Sequence, residues 1–291
     1  MAKTKIYKKK GKQSSSKSAA NRRTKIILVI LAISAGLFYL YADRRVPIQD
    51  QSGVQINWPA GVKPIKMDSI KVAAYNIHRG KGTDGKRDIN RIAEVLKGMD
   101  FIGLNEVAGP GNFLDCSQAE KLGRLLNMGW QFGPNQKRWY MEYFGNALLS
   151  RLDINEWKNV MLKSTSTNGG GFRSMFITKI EVAGKSIPVL ITHLDLFEDR
   201  KNQFEDVMEV FKPLPTGILM GDLNTYPDDP VIQNLFNDPN YTDAIAVTLG
   251  DRDVNRRDWI ITKGMEVLEG GMFPIGVSDH PCFWVKLKPI E

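Results

Sequence analysis

Sulfur and imidazole are scarce in this 291-residue chain, which holds two cysteines, Cys116 and Cys282, and three histidines, His78, His193 and His280. Two thiols build neither a disulfide framework nor a thiolate zinc cage, and three scattered imidazoles do not make a His-rich zinc centre. Buried free thiols are expected, with one bridge open if the body lies in an oxidising compartment. No internal repeat of fixed period appears. Acidic residues are missing from the first 25 positions, which hold ten basic ones. Residues 46–291 carry 28 basic and 31 acidic residues. The net charge of +8 and the pI near 9.3 therefore describe a tail, not a basic nucleic-acid-binding surface. At 42% hydrophobic residues the chain is ordinary globular material, neither disordered throughout nor fibrous.

Charge is absent from residues 26–42, IILVILAISAGLFYLYA. These 17 uncharged residues reach the lower limit for a membrane-spanning helix, and Tyr39 and Tyr41 stand where interfacial aromatics would. The tail before them, residues 1–25, is too polar and self-repelling to bury a core and is expected to be disordered. Its positive charge predicts a single-pass signal-anchor in the inner or plasma membrane, with the amino terminus cytoplasmic and the body extracytoplasmic, periplasmic in a bacterium. A cleaved signal peptide and a buried soluble helix are the competing readings. Pro47, Pro59 and Pro64 mark residues 43–69 as a linker, which leaves 70–291 as one large domain.

Short apolar runs rich in branched residues at 70–77, 101–106, 146–150, 174–182, 187–194, 217–221, 258–262 and 281–287 read as strands. Between some of them lie helical patterns at 89–96, 119–126, 202–211 and 230–236; the first rests on Ile89, Ile92, Ala93, Val95 and Leu96 at offsets 0, 3, 4, 6 and 7. An α/β domain with much antiparallel pairing follows. Asn76, Glu106, His193, Asp222 and Asn224 fall at or just past strand ends, and Asp279 and His280 stand just before one. Strand ends on one rim of a sheet let residues distant in sequence converge on one ligand.

Taken in order, the polar segments are YNIHRG at 75–80, LNEV at 104–107, GNALLSR at 145–151, THLD at 192–195, GDLN at 221–224, RRDWI at 256–260 and SDHP at 278–281. This ordered set resembles the endonuclease/exonuclease/phosphatase superfamily, the fold of pancreatic deoxyribonuclease, over essentially all of residues 70–288. The resemblance implies a four-layer α/β/β/α sandwich of two packed mixed sheets that hydrolyses phosphate esters with a metal; the catalytic domain is expected to be monomeric.

The chemistry is consistent with the residues themselves. Attack of water on a phosphodiester needs a divalent cation, a base for the water and donors for the phosphate. Glu106, with Asn76 and Asp279 beside it, offers hard oxygens suited to Mg²⁺, with Mn²⁺ as a substitute. By the resemblance His280 is a general acid or base oriented by Asp258, and His193 donates to a phosphate oxygen. Asp222 orients or deprotonates the water, and Asn224 positions it or the phosphate. Whether Asp222 or His280 is the base stays open. His78 is left outside the site as a structural residue. Arg79 and Arg173 are candidates for substrate binding or for structural ion pairs.

Two positions depart from the family pattern: Asn105, where Gln is frequent, and Arg257, where an apolar residue is common. The first touches the hydrogen bonding around the metal and the second the substrate groove. Segment 80–87, GKGTDGKR, nearly spells a phosphate loop but has Arg87 in place of the final Ser or Thr, and reads as a flexible rim loop. A calcineurin-like two-metal site lacks its histidines. Aromatics between Trp130 and Phe144 read as core and rim of a loop region. The expected function is a membrane-anchored, Mg²⁺-dependent phosphodiesterase, first a nuclease. A phospholipid or small-molecule phosphodiesterase or phosphatase is the alternative, and a non-catalytic tethered binding module the reading from another class.

Overall fold

A computed structural model of the chain describes residues 14–42, 45–111, 115–138, 142–165, 171–196, 199–250 and 256–290. The chain divides into two compact units, Met1–Arg44 and Arg45–Glu291. In the first, helix α1 (Ser14–Ala42) takes in the whole uncharged run. It also takes in residues 14–25, which the charge pattern had assigned to a disordered tail; Ala, Lys and Arg are good helix formers and extend the apolar helix backwards. Residues 1–13 of that tail lie outside the described residues. Among the described residues no helix is long and apolar enough to cross a membrane. The uncharged run makes about 25 Å of helix at 1.5 Å per residue, short of a hydrocarbon core of about 30 Å. Its apolar side chains, such as Leu28, Leu31 and Leu37, are exposed.

The second unit is built on two seven-stranded sheets. The first contains β1 (Arg45–Pro47), β3 (Ile70–Asn76), β4 (Phe101–Gly111), β5 (Gly129–Arg138), β6 (Glu142–Ser150), β13 (Met265–Phe273) and β14 (Cys282–Pro289), in the order β1-β5-β6-β4-β3-β14-β13. The second contains β2 (Gln51–Gly53), β7 (Trp157–Met161), β8 (Ser174–Val182), β9 (Lys185–His193), β10 (Gly217–Asp222), β11 (Thr242–Asp243) and β12 (Asp258–Lys263), in the order β11-β12-β10-β9-β8-β7-β2. Both sheets are mixed: β3 runs parallel to β4 and β10 parallel to β9, while their other neighbours are antiparallel. The expected linker is part of this unit, because β1 and β2 each add an edge strand to one sheet and Ile56 enters the core.

Three apolar layers hold the sandwich together. Along β3, Ile70, Val72 and Ala74 face the second sheet while Ala73 and Tyr75 face outward, the period of two that a strand buried on both faces requires. The central layer joins Val72, Phe101 and Val285 of one sheet to Val189, Met220 and Ile260 of the other. Outside the first sheet, helices α2 (Ile89–Leu96) and α3 (Gln118–Leu126) bury Ile92, Leu96 and Leu122 against Ile102 and Leu149. Outside the second, α4 (Arg200–Phe211) and α5 (Pro230–Phe236) bury Val207, Phe211 and Ile232 against Leu219 and Trp259. The short α6 (Ala244–Leu249) contributes Ala244 and Ile245 to the central layer. The result is the α/β/β/α order. Both thiols are free; Cys282 is buried in the layer under α2 and α3, where desolvation pushes its pKa up.

The aromatic region expected to be a loop is instead the β5–β6 pair, with Trp130 and Phe144 buried. Trp139 and Tyr140 lie outside the described residues. Segment 80–87 is closed by a bridge between Lys81 and Arg87, and Asp84 is paired with Arg91 at 3.0 Å.

Candidate active site

The topology brings the polar strand ends to one rim. Asp222, the last residue of β10, lies opposite His193 of β9 on one side and Asp258 of β12 on the other, so three chemically active side chains occupy one row across three strands. Gly221 permits this: its φ is +130°, and a Cβ there would run into the Thr192 carbonyl oxygen. In the facing sheet, Asn76 ends β3 opposite Asn105 of β4. Alternation along β4 would carry Glu106 to the helix side, but the register shifts between Leu104 and Val107, and Glu106 takes a φ of +56°. This bulge turns its carboxylate to the rim, where the Asn76 amide donates to it at 3.3 Å. The same amide donates to Asp222 Oδ2 at 3.0 Å, joining the two sheets.

Asn105, which is fully buried, is a second junction. Its amide donates to Asn146 Oδ1 at 2.8 Å and to the Thr192 carbonyl at 3.1 Å, and its Oδ1 accepts from the Asp222 backbone N–H at 2.9 Å. The loop before β14 is tied down by Ser278, whose hydroxyl donates to the Asn76 carbonyl at 2.8 Å. That places His280 with Nδ1 2.7 Å from Asp258 Oδ2 and Nε2 3.6 Å from Asp222 Oδ2.

The charges follow from these contacts. Arg173 Nη1 lies 2.8 Å from His193 Nδ1. A guanidinium can only donate, so Nδ1 accepts and the ring proton sits on Nε2, 3.4 Å from Asp222 Oδ2. Burial, with the charges of Arg173, His280 and Arg257, holds the His193 pKa well below its ordinary value, and the ring is neutral. Burial also works against charge on His280, but the hydrogen bond and charge of Asp258, with Asp222 beside it, outweigh it and raise its pKa to about 9. Asp222 is raised to about 6, first by burial and then by the charge of Asp258, against the opposing pull of His280 and the bonds from Asn76 and Asn224. One carboxyl poised near neutrality beside one charged imidazole is an arrangement suited to acid and base work.

The other expected site residues are placed as follows. The backbone N–H of Asn224 donates to Asp222 Oδ1 at 3.0 Å and its amide to the Leu194 carbonyl at 2.8 Å, so it braces the catalytic loop. Asp279 is half exposed; it accepts from the Ser278 hydroxyl and lies 3.2 Å from His78 Nδ1. Of the three expected ligands, Asn76 and Glu106 are thus in contact, and Asp279 is engaged with Ser278 and His78. The two arginines expected at the substrate are held in ion pairs: Arg79 with Glu142 at 3.3 Å, and Arg173, buried, with Asp195 at 3.9 Å as well as with His193. Arg173 is drawn inward because His193 and Asp195 offer it acceptors in the interior. Asn146 and Ser278 were not singled out, although the GNALLSR and SDHP segments contain them, because single buried amides and hydroxyls carry no sequence signal of their own; Asn105 was marked only as a departure bearing on the hydrogen bonding around the metal.

The donor chemistry fits a divalent cation. Glu106 and Asp222 both accept from the Asn76 amide, which brings their carboxylate oxygens beside one another, and the ligand atoms of Asp222, Asp258 and His280 lie within 4.8 Å of one another. Asp258 Oδ1 is buried without a hydrogen-bond partner. Oxygen-rich clusters of this kind suit hard cations.

Fold and site together define a metal-assisted phosphoester hydrolase. The Endonuclease/Exonuclease/phosphatase family matches residues 73–280, and the chain belongs to it. It is a metal-dependent phosphoric ester hydrolase, and the binding-module alternative gives way. Among solved structures, an endonuclease/exonuclease/phosphatase from Beutenbergia cavernae is similar at 23% identity and a TM-score of 0.63, covering 77% of this chain and 72% of that one. The mannosyl-6-phosphatase of Bacteroides thetaiotaomicron matches at 18% identity and 0.58, covering 75% and 99%. D. rerio TDP2 complexed with single strand DNA product matches at 14% and 0.58, covering 76% and 99%. At these identities the likeness is one of fold. No curated protein matches the chain.

Proposed function

We propose that this chain is a monomeric, Mg²⁺-dependent phosphodiesterase that acts on nucleic acid and is anchored by residues 26–42 with its body outside the cytoplasm. The observation that carries the chemistry is the row His193–Asp222–Asp258, closed by His280 and faced by Glu106 and Asn76. Glu106, positioned by the Asn76 amide, would hold the cation, which when bound neutralises the non-bridging oxygens of the phosphate. Asp222 takes the proton of the attacking water, as its raised pKa allows. His280, kept charged by Asp258, delivers a proton to the leaving oxygen. His193 offers Nε2–H to a phosphoryl oxygen as charge develops there.

Nucleic acid as the substrate draws support from the family and from the DNA product named with D. rerio TDP2. One observation favours a phospholipid or small phosphodiester as the second reading. Arg79, Arg173 and Arg256 are all bound to carboxylates, which takes these three arginines out of play for tracking a polynucleotide strand. Plasmid DNA, RNA, lipid vesicles and bis-p-nitrophenyl phosphate, each with Mg²⁺ or EDTA, test the reading. Mg²⁺-dependent cleavage of polynucleotide is expected. Cleavage of lipid alone would reverse the substrate, and hydrolysis of none of the four would overturn the assignment.

A further inference from the structure

We propose that Arg257 is a substrate-contacting residue that binds the phosphoryl group beside His280 and His193, an inference that rests on the phosphoester reading above. Arg257 immediately precedes Asp258 at the start of β12 and is half-buried. Its Nη2 lies 3.4 Å from His280 Nε2, the ring nitrogen left over once Nδ1 is taken by Asp258. Four other arginines near this rim have carboxylate partners: Arg79 has Glu142, Arg173 has Asp195, Arg200 has Asp229 and Arg256 has Asp243. Among the described residues Arg257 has no such partner.

A half-buried guanidinium without a counter-charge is costly unless something supplies one. The side chain offers five N–H donors and no acceptor, and the charged ring of His280, which carries a proton on Nε2 as well, can accept none of them. His193 Nε2 and His280 Nε2 lie 3.4 and 3.6 Å from the same Asp222 Oδ2. Arg257, His280 and His193 therefore stand together beside Asp222, close enough for the charge of Arg257 to act on both rings, and the ligand class that fits such a group of nitrogen donors is a tetrahedral oxyanion with several acceptors, a phosphoryl group. The expectation from the family is an apolar residue before the histidine-orienting Asp, so this contact adds one positive charge that belongs to this chain.

The test uses the full chain in detergent with Mg²⁺ at fixed concentration, and compares wild type, Arg257→Leu and Arg257→Lys. Binding of inorganic phosphate is read by titration calorimetry, independently of turnover, and kcat and KM are read on whichever ester of the panel is hydrolysed best. Arg257→Leu is expected to weaken phosphate binding about tenfold and to lower kcat/KM by at least as much, the scale of one hydrogen bond to a charged group. Arg257→Lys should recover part of both, because it restores charge without the fork. Unchanged phosphate binding in Arg257→Leu, or a wild type that does not bind phosphate, would overturn the proposal. If Arg257→Leu fails to fold, Arg257→Lys decides: a lysine variant with lowered thermal stability but wild-type phosphate affinity and kcat/KM counts against it. Loss of all turnover with phosphate binding intact and sensitive to Arg257 would sink the hydrolase reading while sparing the contact.

Discussion

Asp258 accepts a hydrogen bond from His280 Nδ1 across 2.7 Å, and both side chains are buried. Burial by itself lowers the pKa of an imidazole, so the charge on His280 depends on this carboxylate. Asp258→Asn removes the charge and keeps the shape. The wild-type rate should rise as Asp222 ionises near pH 6 and fall as His280 loses its proton near 9, a bell with two limbs. In Asp258→Asn the alkaline limb should move toward lower pH and kcat should fall by about 10²-fold or more, as for loss of a general acid. The pKa of His280 is raised on folding, so its contribution to stability is present in full below its ordinary value of 6.5 and is lost as pH rises through about 9. Urea unfolding across that window checks the sign: wild type should weaken toward pH 9 more than Asp258→Asn. An alkaline limb that stays in place would separate Asp258 from the proton on His280.

Glu106 is held at its positive φ by the bulge in β4, and a glutamine in its place keeps the contact with Asn76 while removing the charge. Glu106→Gln should lose turnover by roughly 10²–10³-fold, the scale of removing one electrostatic stabiliser. Melting temperature in EDTA should be unchanged or higher, because one of several crowded carboxylates is gone. Calorimetric titration with Mg²⁺ should show weaker binding in the variant. Full Mg²⁺ affinity in Glu106→Gln would move the cation to the Asp222, Asp258 and His280 group.

Arg173 fixes the tautomer of His193 and makes no contact with substrate in this reading. Arg173→Met keeps the length of the side chain and removes the donor to Nδ1, so the ring is free to carry its proton on either nitrogen. Breaking a buried charged pair also leaves Asp195 uncompensated, with an expected stability loss of about 3 kcal/mol. The decisive readout is the nitrogen NMR signature of His193, which should change from the Nε2–H form to a mixture, with a fall in kcat and little change in KM. A single Nε2–H signature in Arg173→Met would mean that something else sets the tautomer.

The regular elements of this domain were legible where patterning was regular. The strands around Val72, Phe176, Val189 and Leu219 and all four amphipathic helices appear within a few residues of their expected ends. Strands β5 and β13 were missed because glycine and proline interrupt them: Gly133 and Pro134 in one, Gly270 and Gly271 in the other. Those glycines answer to tertiary packing, since a Cβ on Gly133 would strike Asn159 and Phe176, and one on Gly271 would strike Trp284. The row His193–Asp222–Asp258 was legible as strand ends. The inward turn of Arg173 was not, because it depends on the acceptors of His193 and Asp195, which sequence separates from it by about twenty residues.

The last prediction concerns location. The uncharged run of α1 is shorter than a bilayer core, yet Arg22, Arg23 and Lys25 precede it, and long basic side chains at a helix end can reach back to the headgroups. Exposed apolar side chains from Ile26 onward are costly in water and need a cover. Deleting residues 1–44 should therefore move the protein from the membrane fraction to the soluble fraction with no loss of catalytic-unit stability, because Arg45–Glu291 is a compact unit of its own. Protease added to intact spheroplasts should digest the full chain down to its anchor, the outcome that the proposed orientation requires, with the ten basic residues ahead of the run inside. Full protection would put the catalytic unit in the cytoplasm, and recovery of the full chain from the soluble fraction would remove the anchor from the reading.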